Sequence, residues 1–314
     1  MGREILKIDV EDEKLESLGM ALSSKIRRKI LLLLNTSSYS IVEIAEKLNI
    51  PVSTAAFNVK VLKDVDLVLV TAKQASKGNT KIVSRNLDKI LINLYDEVSY
   101  ESEIKSHTIE VPVGSFFEAK VAPPCGMASE KSTLSVDDFP SVFYEPERFK
   151  AQIVWFSKGY LEFRVPNYFI KDKDLVDLNV SFEICSEAPN YQNDWKSDIT
   201  FWINDVELCT YLSEGDYGMR RGRLNPHWWP DYSTQFGKLV SLMIDNNNVY
   251  LNEKGVSGVK LKNLKITEGE YFTFRIGNKP DSKNQGGLNL FGSKFGDYAQ
   301  SLIFKFDYKD KEDV

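Results

Sequence analysis

Residues 218–231, GMRRGRLNPHWWPD, crowd Arg220, Arg221 and Arg223 against Trp228 and Trp229, with Asp216 just before them and Asp231 closing the stretch. Guanidinium groups offer forked, planar donors suited to hydroxyl, carboxylate or phosphate oxygens. Indole faces stack on flat or C–H-rich ligands such as sugar rings. Gly215, Gly218 and Gly222 let the backbone curve, and Pro226 and Pro230 stiffen it. This chemistry fits a sugar, a sugar acid or a sugar phosphate. It equally fits a subunit interface or a loop packed on its own core, because adjacent tryptophans in a strand point to opposite faces. A second candidate is NQGGLNLFGSKFGDY at 284–298, where glycines permit close backbone approach and Asn289 offers an amide. The candidate ligand set is Asp216, Arg220, Arg221, Arg223, Trp228, Trp229 and Asn289.

Other chemistries find little support. Glycoside hydrolysis needs two carboxylates about 5–9.5 Å apart. Asp194, Asp198, Glu214, Asp216 and Asp231 are available, but no pattern brings a pair together. His107 and His227 lack a nucleophile context, and no phosphate-cradling glycine loop occurs. Cys125, Cys185 and Cys209 are widely spaced and odd in number, which is neither a disulfide framework nor a metal set. The expectation is a binding protein without cofactor or metal, not an enzyme. The charged N-terminus has no apolar signal core, and no run of about 18 apolar residues occurs, so a cytoplasmic protein is expected.

The elements that must hold these residues change character near residue 97. The chain has 314 residues, enough for two cores. Up to Asp96 apolar residues recur at helical spacing. Leu15, Leu18 and Leu22 predict a first helix. Ile26, Ile30, Leu31, Leu33 and Leu34 predict a second, capped by Ser23 or Ser24. Ile41, Ile44, Ala45 and Leu48 predict a third, with Ser40 and Glu43 spaced as a capping box. After Asn49-Ile50-Pro51 a fourth is predicted over 52–63. Leu69–Ala72 and Thr80–Val83 flank the polar tip 76–79 as a hairpin, and residues 86–96 return to helical spacing. Beyond 97 the pattern alternates: Leu178, Val180, Phe182 and Ile184; Ile199, Phe201 and Ile203; Phe272, Phe274 and Ile276; Leu302, Phe304 and Phe306. Many such strands, separated by turns such as Asn204-Asp205 and 245–248, predict an antiparallel sandwich or jelly roll. The fold class is α+β in two domains: a mainly helical N-terminal domain, 1–97, followed by an antiparallel β-sandwich, 98–314.

Helix, turn, helix and hairpin is the order of a winged helix-turn-helix, in which the fourth helix enters a major groove and the hairpin reaches phosphate. Residues 15–100 hold twelve lysines and arginines against eight acids, in a chain of net charge -5. That local excess suits phosphate contact.

Three segments carry a family resemblance: LGMALSSKIRRKILLLL, SIVEIAEKLNIPVSTAAFNVKVLKDVDLV, and the lysine-bearing wing. Residues 15–85 resemble the winged helix of ArsR-type transcriptional regulators, most specifically at Ser53-Thr54 through Lys60-Val61-Leu62. The resemblance implies double-stranded DNA as partner, and a homodimer is expected because one small module reads a half-site weakly. It implies Ser53 and Thr54 at the start of the recognition helix, Asn58 as a base reader, Lys60 on phosphate, and Lys77, Asn79 and Lys81 on the wing. Phe57 and Asn58 depart from the polar or basic pair common there. Residues 1–100 lack the cysteines and histidines of metal-sensing members. The sandwich more weakly resembles sugar-binding jelly rolls, which implies that architecture, and a domain of this size attached to a DNA reader implies, by analogy with other regulators, a small-molecule effector. The reading is a ligand-responsive transcriptional regulator. The alternatives are a carbohydrate-active enzyme, or a docking module with a structural winged helix.

Overall fold

The computed structural model describes residues 5–35, 38–75, 78–87, 89–94 and 104–311. The chain forms two compact units, residues 1–99 and 100–314.

The first unit contains β1 (Ile5–Asp9), α1 (Lys14–Ser23), α2 (Lys25–Leu33), β2 (Tyr39–Ser40), α3 (Ile41–Leu48), α4 (Val52–Asp64), β3 (Val68–Ala75), β4 (Gly78–Arg85) and β5 (Lys89–Asn93). Ser40 caps α3 through the expected box: its hydroxyl accepts from the Glu43 amide at 3.2 Å, and Glu43 accepts from the Ser40 amide at 2.7 Å. These bonds hold the Glu43 carboxyl below the usual carboxylate range. Asn49 ends α3 in the left-handed region, φ 50°, which asparagine tolerates. Pro51, which has no amide hydrogen to leave unpaired, then starts α4. Ser24 stands at the start of α2, but its side chain makes no capping bond. Ile30, Ile44, Ala55, Val59 and Leu62 bury against one another, with Val83 of the wing beneath them. β3 and β4 form the antiparallel wing, longer than the alternating residues implied. Its tip residues 76 and 77 lie outside the described residues.

One expected element is corrected. Residues 89–93 are a strand, not part of a helix over 86–96, and they pair in parallel with β1 from Ile5↔Lys89 to Asp9↔Asn93. KILIN is rich in β-branched and apolar residues, and a distant strand offers it a backbone ladder. A five-residue apolar run cannot by itself distinguish helix from strand. Positions 95 and 96 lie outside the described residues.

The second unit is a 13-stranded antiparallel sheet folded into two layers. Its strands are β6 (Lys105–Val111), β7 (Glu118–Ala128), β8 (Thr133–Leu134), β9 (Ile153–Pro166), β10 (Lys173–Cys185), β11 (Ser197–Ile203), β12 (Val206–Ser213), β13 (Lys238–Ile244), β14 (Val249–Leu251), β15 (Lys254–Ser257), β16 (Tyr271–Gly277), β17 (Leu288–Phe291) and β18 (Leu302–Asp310). One layer runs β8-β7-β9-β16-β11-β12, and the other runs β6-β18-β10-β13-β14-β15. Short β17 pairs with β9 on one side and β10 on the other, so it joins the layers at one end. Every alternating set read from the sequence faces inward and is fully buried, as in Phe182, Phe201, Phe274 and Phe304. Phe182 of one layer lies 5.3 Å from Phe201 and 5.7 Å from Phe274 of the other, ring centre to ring centre. The Asn204-Asp205 turn between β11 and β12 takes positive φ at both residues, as a tight hairpin with right-handed twist requires.

Phe182→Ala would remove a buried ring that bridges both layers. It is expected to cost about 3–5 kcal/mol of unfolding free energy, read as a lower denaturant midpoint for the sandwich with the first unit's transition unmoved.

Candidate DNA-reading face and effector cleft

On α4 the residues divide by helical period. Ala55, Asn58, Val59 and Leu62 are buried, whereas Ser53, Phe57, Lys60 and Lys63 are exposed on the opposite stripe. Thr54 is half-buried beside the exposed stripe. The outer face therefore offers a hydroxyl and two ammonium groups around a phenyl ring. Lys81 is exposed on β4 of the wing. Lys77 lies outside the described residues; Asn79 is described only as backbone in β4.

Asn58 does not face outward. Its amide nitrogen donates to the Thr54 carbonyl at 2.8 Å, and its oxygen accepts from Arg27 at 3.4 Å. An amide held on the buried stripe cannot present its edge to a base, which corrects the expected reading of adenine. The helical period was sufficient to show it, since position 58 falls between Ala55 and Leu62. Part of the positive charge is also spoken for. Arg27 donates to the Ala21 and Met20 carbonyls and Arg28 to those of Leu22 and Ser23, closing the C-terminal end of α1.

In the second unit the arginine-tryptophan stretch forms a locked loop. Asp297 accepts two bonds from Arg220, whose guanidinium lies 3.8 Å over the Phe236 ring. Arg221 donates to the Trp229 and Pro226 carbonyls and to Asp231 at 2.5 Å. The Arg223 amide donates to Asp297 at 3.1 Å. Buried Gln235 holds the loop from inside, donating to the Pro230 and Ser233 carbonyls and accepting from Asn225. The Arg220 and Arg221 guanidiniums thus hold the loop together, which corrects the expectation of open forks at those two positions, while Arg223 is exposed.

The tryptophans separate. Trp229 is buried, with its indole N–H donating to the Thr234 carbonyl at 2.8 Å and its ring edge-on to Phe295 and Trp155. Trp228 is half out in solvent and donates to the Glu130 carbonyl. Asp216 is fully buried, accepting from the Ala188 amide at 3.1 Å and the Thr234 hydroxyl at 2.8 Å. It touches no open space, so it positions the residues around it and is not a direct ligand contact.

These supports frame a cleft of about 280 Å³ on the outer face of β17. Trp155 and Trp229 form aromatic walls, Pro124 and Thr234 close the sides, and Glu187 and Asn289 supply polar groups. Trp155 and Asn289 are register partners on β9 and β17, as are Cys185 and Asn289 on β10 and β17, so all three share one face. Asn289 donates to the Ser186 carbonyl and to Glu187, both at 2.7 Å. Among the described residues Asn289 is the sole hydrogen-bond partner of the Glu187 carboxyl. Burial first, and then the neighbouring Asp216 charge, raise the Glu187 carboxyl well above its ordinary range. Of the expected ligand residues only Trp229 and Asn289 line this cleft. Trp155 and Glu187 were not anticipated. The signal for Glu187 was the alternation Glu183, Cys185, Glu187, which sets a stripe on the face opposite Phe182 and Ile184.

Burial pushes the Asp216 carboxyl up to about 7, against the bonds it accepts from the Ala188 amide, the Thr234 hydroxyl and the Cys185 thiol. A carboxyl harder to ionise when folded binds more protons in the native state. Its stabilising effect is complete below pH about 4 and is lost as pH rises through about 7. Asp216→Asn is expected to flatten the fall in the sandwich's stability over that window, by up to about 1.4 kcal/mol per pH unit. Urea unfolding across pH would measure it, and an unchanged slope would contradict this assignment.

Among the described residues no helix is long and apolar enough to cross a membrane. A family model described as a helix-turn-helix domain matches residues 22–71. No curated protein matches the chain. Among solved structures, reduced HlyU from Vibrio cholerae is 23% identical with a TM-score of 0.21, over 23% of this chain and 73% of that one. The homodimeric winged helix-turn-helix DNA-binding domain of Mb0332 from Mycobacterium bovis, described as a possible ArsR-family transcriptional regulator, is 24% identical with a TM-score of 0.21, over 24% and 65%. The catalytic domain of Agl-KA is 9% identical with a TM-score of 0.19, over 68% and 27%. The matched segment contains α3, the Asn49–Pro51 turn and α4, and β3 with β4 supplies the wing. Residues 22–71 match a helix-turn-helix domain, and β3 with β4 completes a winged arrangement around it.

Proposed function

We propose that this protein is a DNA-binding transcriptional regulator whose β-sandwich binds a small neutral carbohydrate or a close derivative, and that it binds this effector without transforming it. The observation that carries the effector reading is the cleft on β17, where two indoles wall a carboxyl with a single hydrogen-bond partner among the described residues. Sugar C–H faces stack on indole, and a carboxyl beside an amide can hold a pair of hydroxyls. The volume lies just below the usual range of small-molecule sites, about 300–1,000 Å³, which favours one sugar unit. Arg220 and Arg221, which suggested an anionic ligand, are bound within the loop, none of the three arginines lines the cleft, and the cleft offers an acid, so a neutral ligand is favoured over a sugar phosphate.

DNA would be read by a homodimer, one half-site for each α4. An apolar groove of about 390 Å³, lined by Leu22, Leu31, Leu32, Leu67, Leu87 and Ile90, supports a dimer contact on the first unit. The effector would act by binding the DNA-competent and DNA-incompetent states unequally.

Thermal unfolding of the full-length protein against neutral sugars, sugar acids and sugar phosphates tests the cleft. A neutral sugar at about 100 times its Kd should add ~2.7 kcal/mol, a shift of a few degrees. Trp155→Ala and Glu187→Gln should each lose that shift. A shift confined to the anionic compounds, or one surviving both substitutions, would reject this site. For DNA, replacing Lys60 and Lys81 by alanine should weaken binding to all duplexes and lower the log Kd–log salt slope by about two. An unchanged slope would remove both from the phosphate contact.

A further inference from the structure

We propose that Phe57 is the base-reading side chain of α4 and that it recognises the 5-methyl group of thymine in the major groove. This rests on the DNA reading above and names what the helix selects.

Phe57 is 64% exposed at the centre of the outer stripe of α4. Ser53 lies one turn before it and Lys60 one turn after, with half-buried Ala56 alongside. Ser53 and Ala56 are short, so the phenyl ring projects beyond them. Lys60 and Lys63 are long point charges suited to phosphate. The asparagine of α4 is turned inward and bound to Thr54 and Arg27, so it gives no amide to this face. The ring itself has no donor or acceptor and cannot read the polar code of a base edge. The apolar mark that the major groove presents is the thymine methyl, and phenylalanine is among the side chains that pack on it. A large apolar group kept in water one turn before two lysines, on the outer stripe of the helix that follows the turn, matches that mark in polarity. The ring stabilises no core: its neighbours in sequence, Ala55, Val59 and Leu62, bury on the far side.

The test uses the full-length protein and a pool of random-sequence duplexes. Bound duplexes are selected, and each thymine of the enriched site is then replaced singly by deoxyuridine, which removes only the methyl. Fluorescence anisotropy at fixed salt reads the affinity. Wild type should lose about fourfold at one thymine of each half-site, the worth of one buried methyl. Phe57→Ala should bind the thymine and deoxyuridine duplexes equally, while Phe57→Leu, which keeps an apolar surface, should retain part of the preference. If deoxyuridine is neutral at every position for wild type, or if Phe57→Ala keeps the full discrimination, the proposal is overturned. A protein that enriches no sequence at all overturns the DNA reading and this proposal with it, an outcome distinct from an enriched site indifferent to methyl groups.

Discussion

A single buried carboxyl fixes the end of the sandwich that carries the cleft. Glu183, on β10, is inaccessible to solvent and accepts from the backbone amides of Gly237, Asp297 and Tyr298 at 2.7–3.0 Å. Those amides belong to the two segments that cover β17. Burial and the nearby Asp297 push its ionisation upward, and the three amides oppose that push. Asp297 in turn binds Arg220, and Arg220 lies on Phe236. A Cβ at Gly296, where φ is +75°, would stand 2.4 Å from the Glu183 oxygens, so the close approach needs glycine. Removing one partner of such a buried set leaves a charge without compensation, at about 3–5 kcal/mol. The loop is therefore held in one place, and the walls of the cleft with it.

The two units use polar residues in opposite ways. In the winged helix, Arg27 and Arg28 satisfy the open carbonyls of α1, and lysines are left free on the outer stripe of α4. The recognition surface there is what remains after the helix ends have been satisfied. In the sandwich, the residues with the strongest binding chemistry hold each other. Arg220, Arg221 and Asp216 form the frame, and Glu187, with fewer bonds, faces the cleft. In both places the group available to a ligand is the one whose hydrogen bonds within the chain are incomplete.

Much of the architecture was legible because it follows from short-range rules. The Ser40–Glu43 box, the Asn49–Pro51 turn and the inward sets of the strands obey spacings of three, four or two residues. Residues 89–93 escaped that logic, because parallel pairing with residues 5–9 is decided by a segment more than eighty positions away. Asn58 was legible but misassigned: the family resemblance pointed to a reader, and the helical period pointed to the core.

The sequence by itself determined the two-part plan, the helix-turn-helix, the alternating strands and the presence of an aromatic–polar cluster around β17. Those follow from local periodicity and from the conformational preferences of glycine, asparagine and proline. Only the tertiary structure decided which polar groups are left for a ligand. Arg220 finds its partner 77 positions away at Asp297, and Asn289 meets Glu187 across 102. Whether a side chain binds a ligand or its own protein depends on what the fold brings within hydrogen-bonding distance, about 3 Å, and separation along the chain carries no such information.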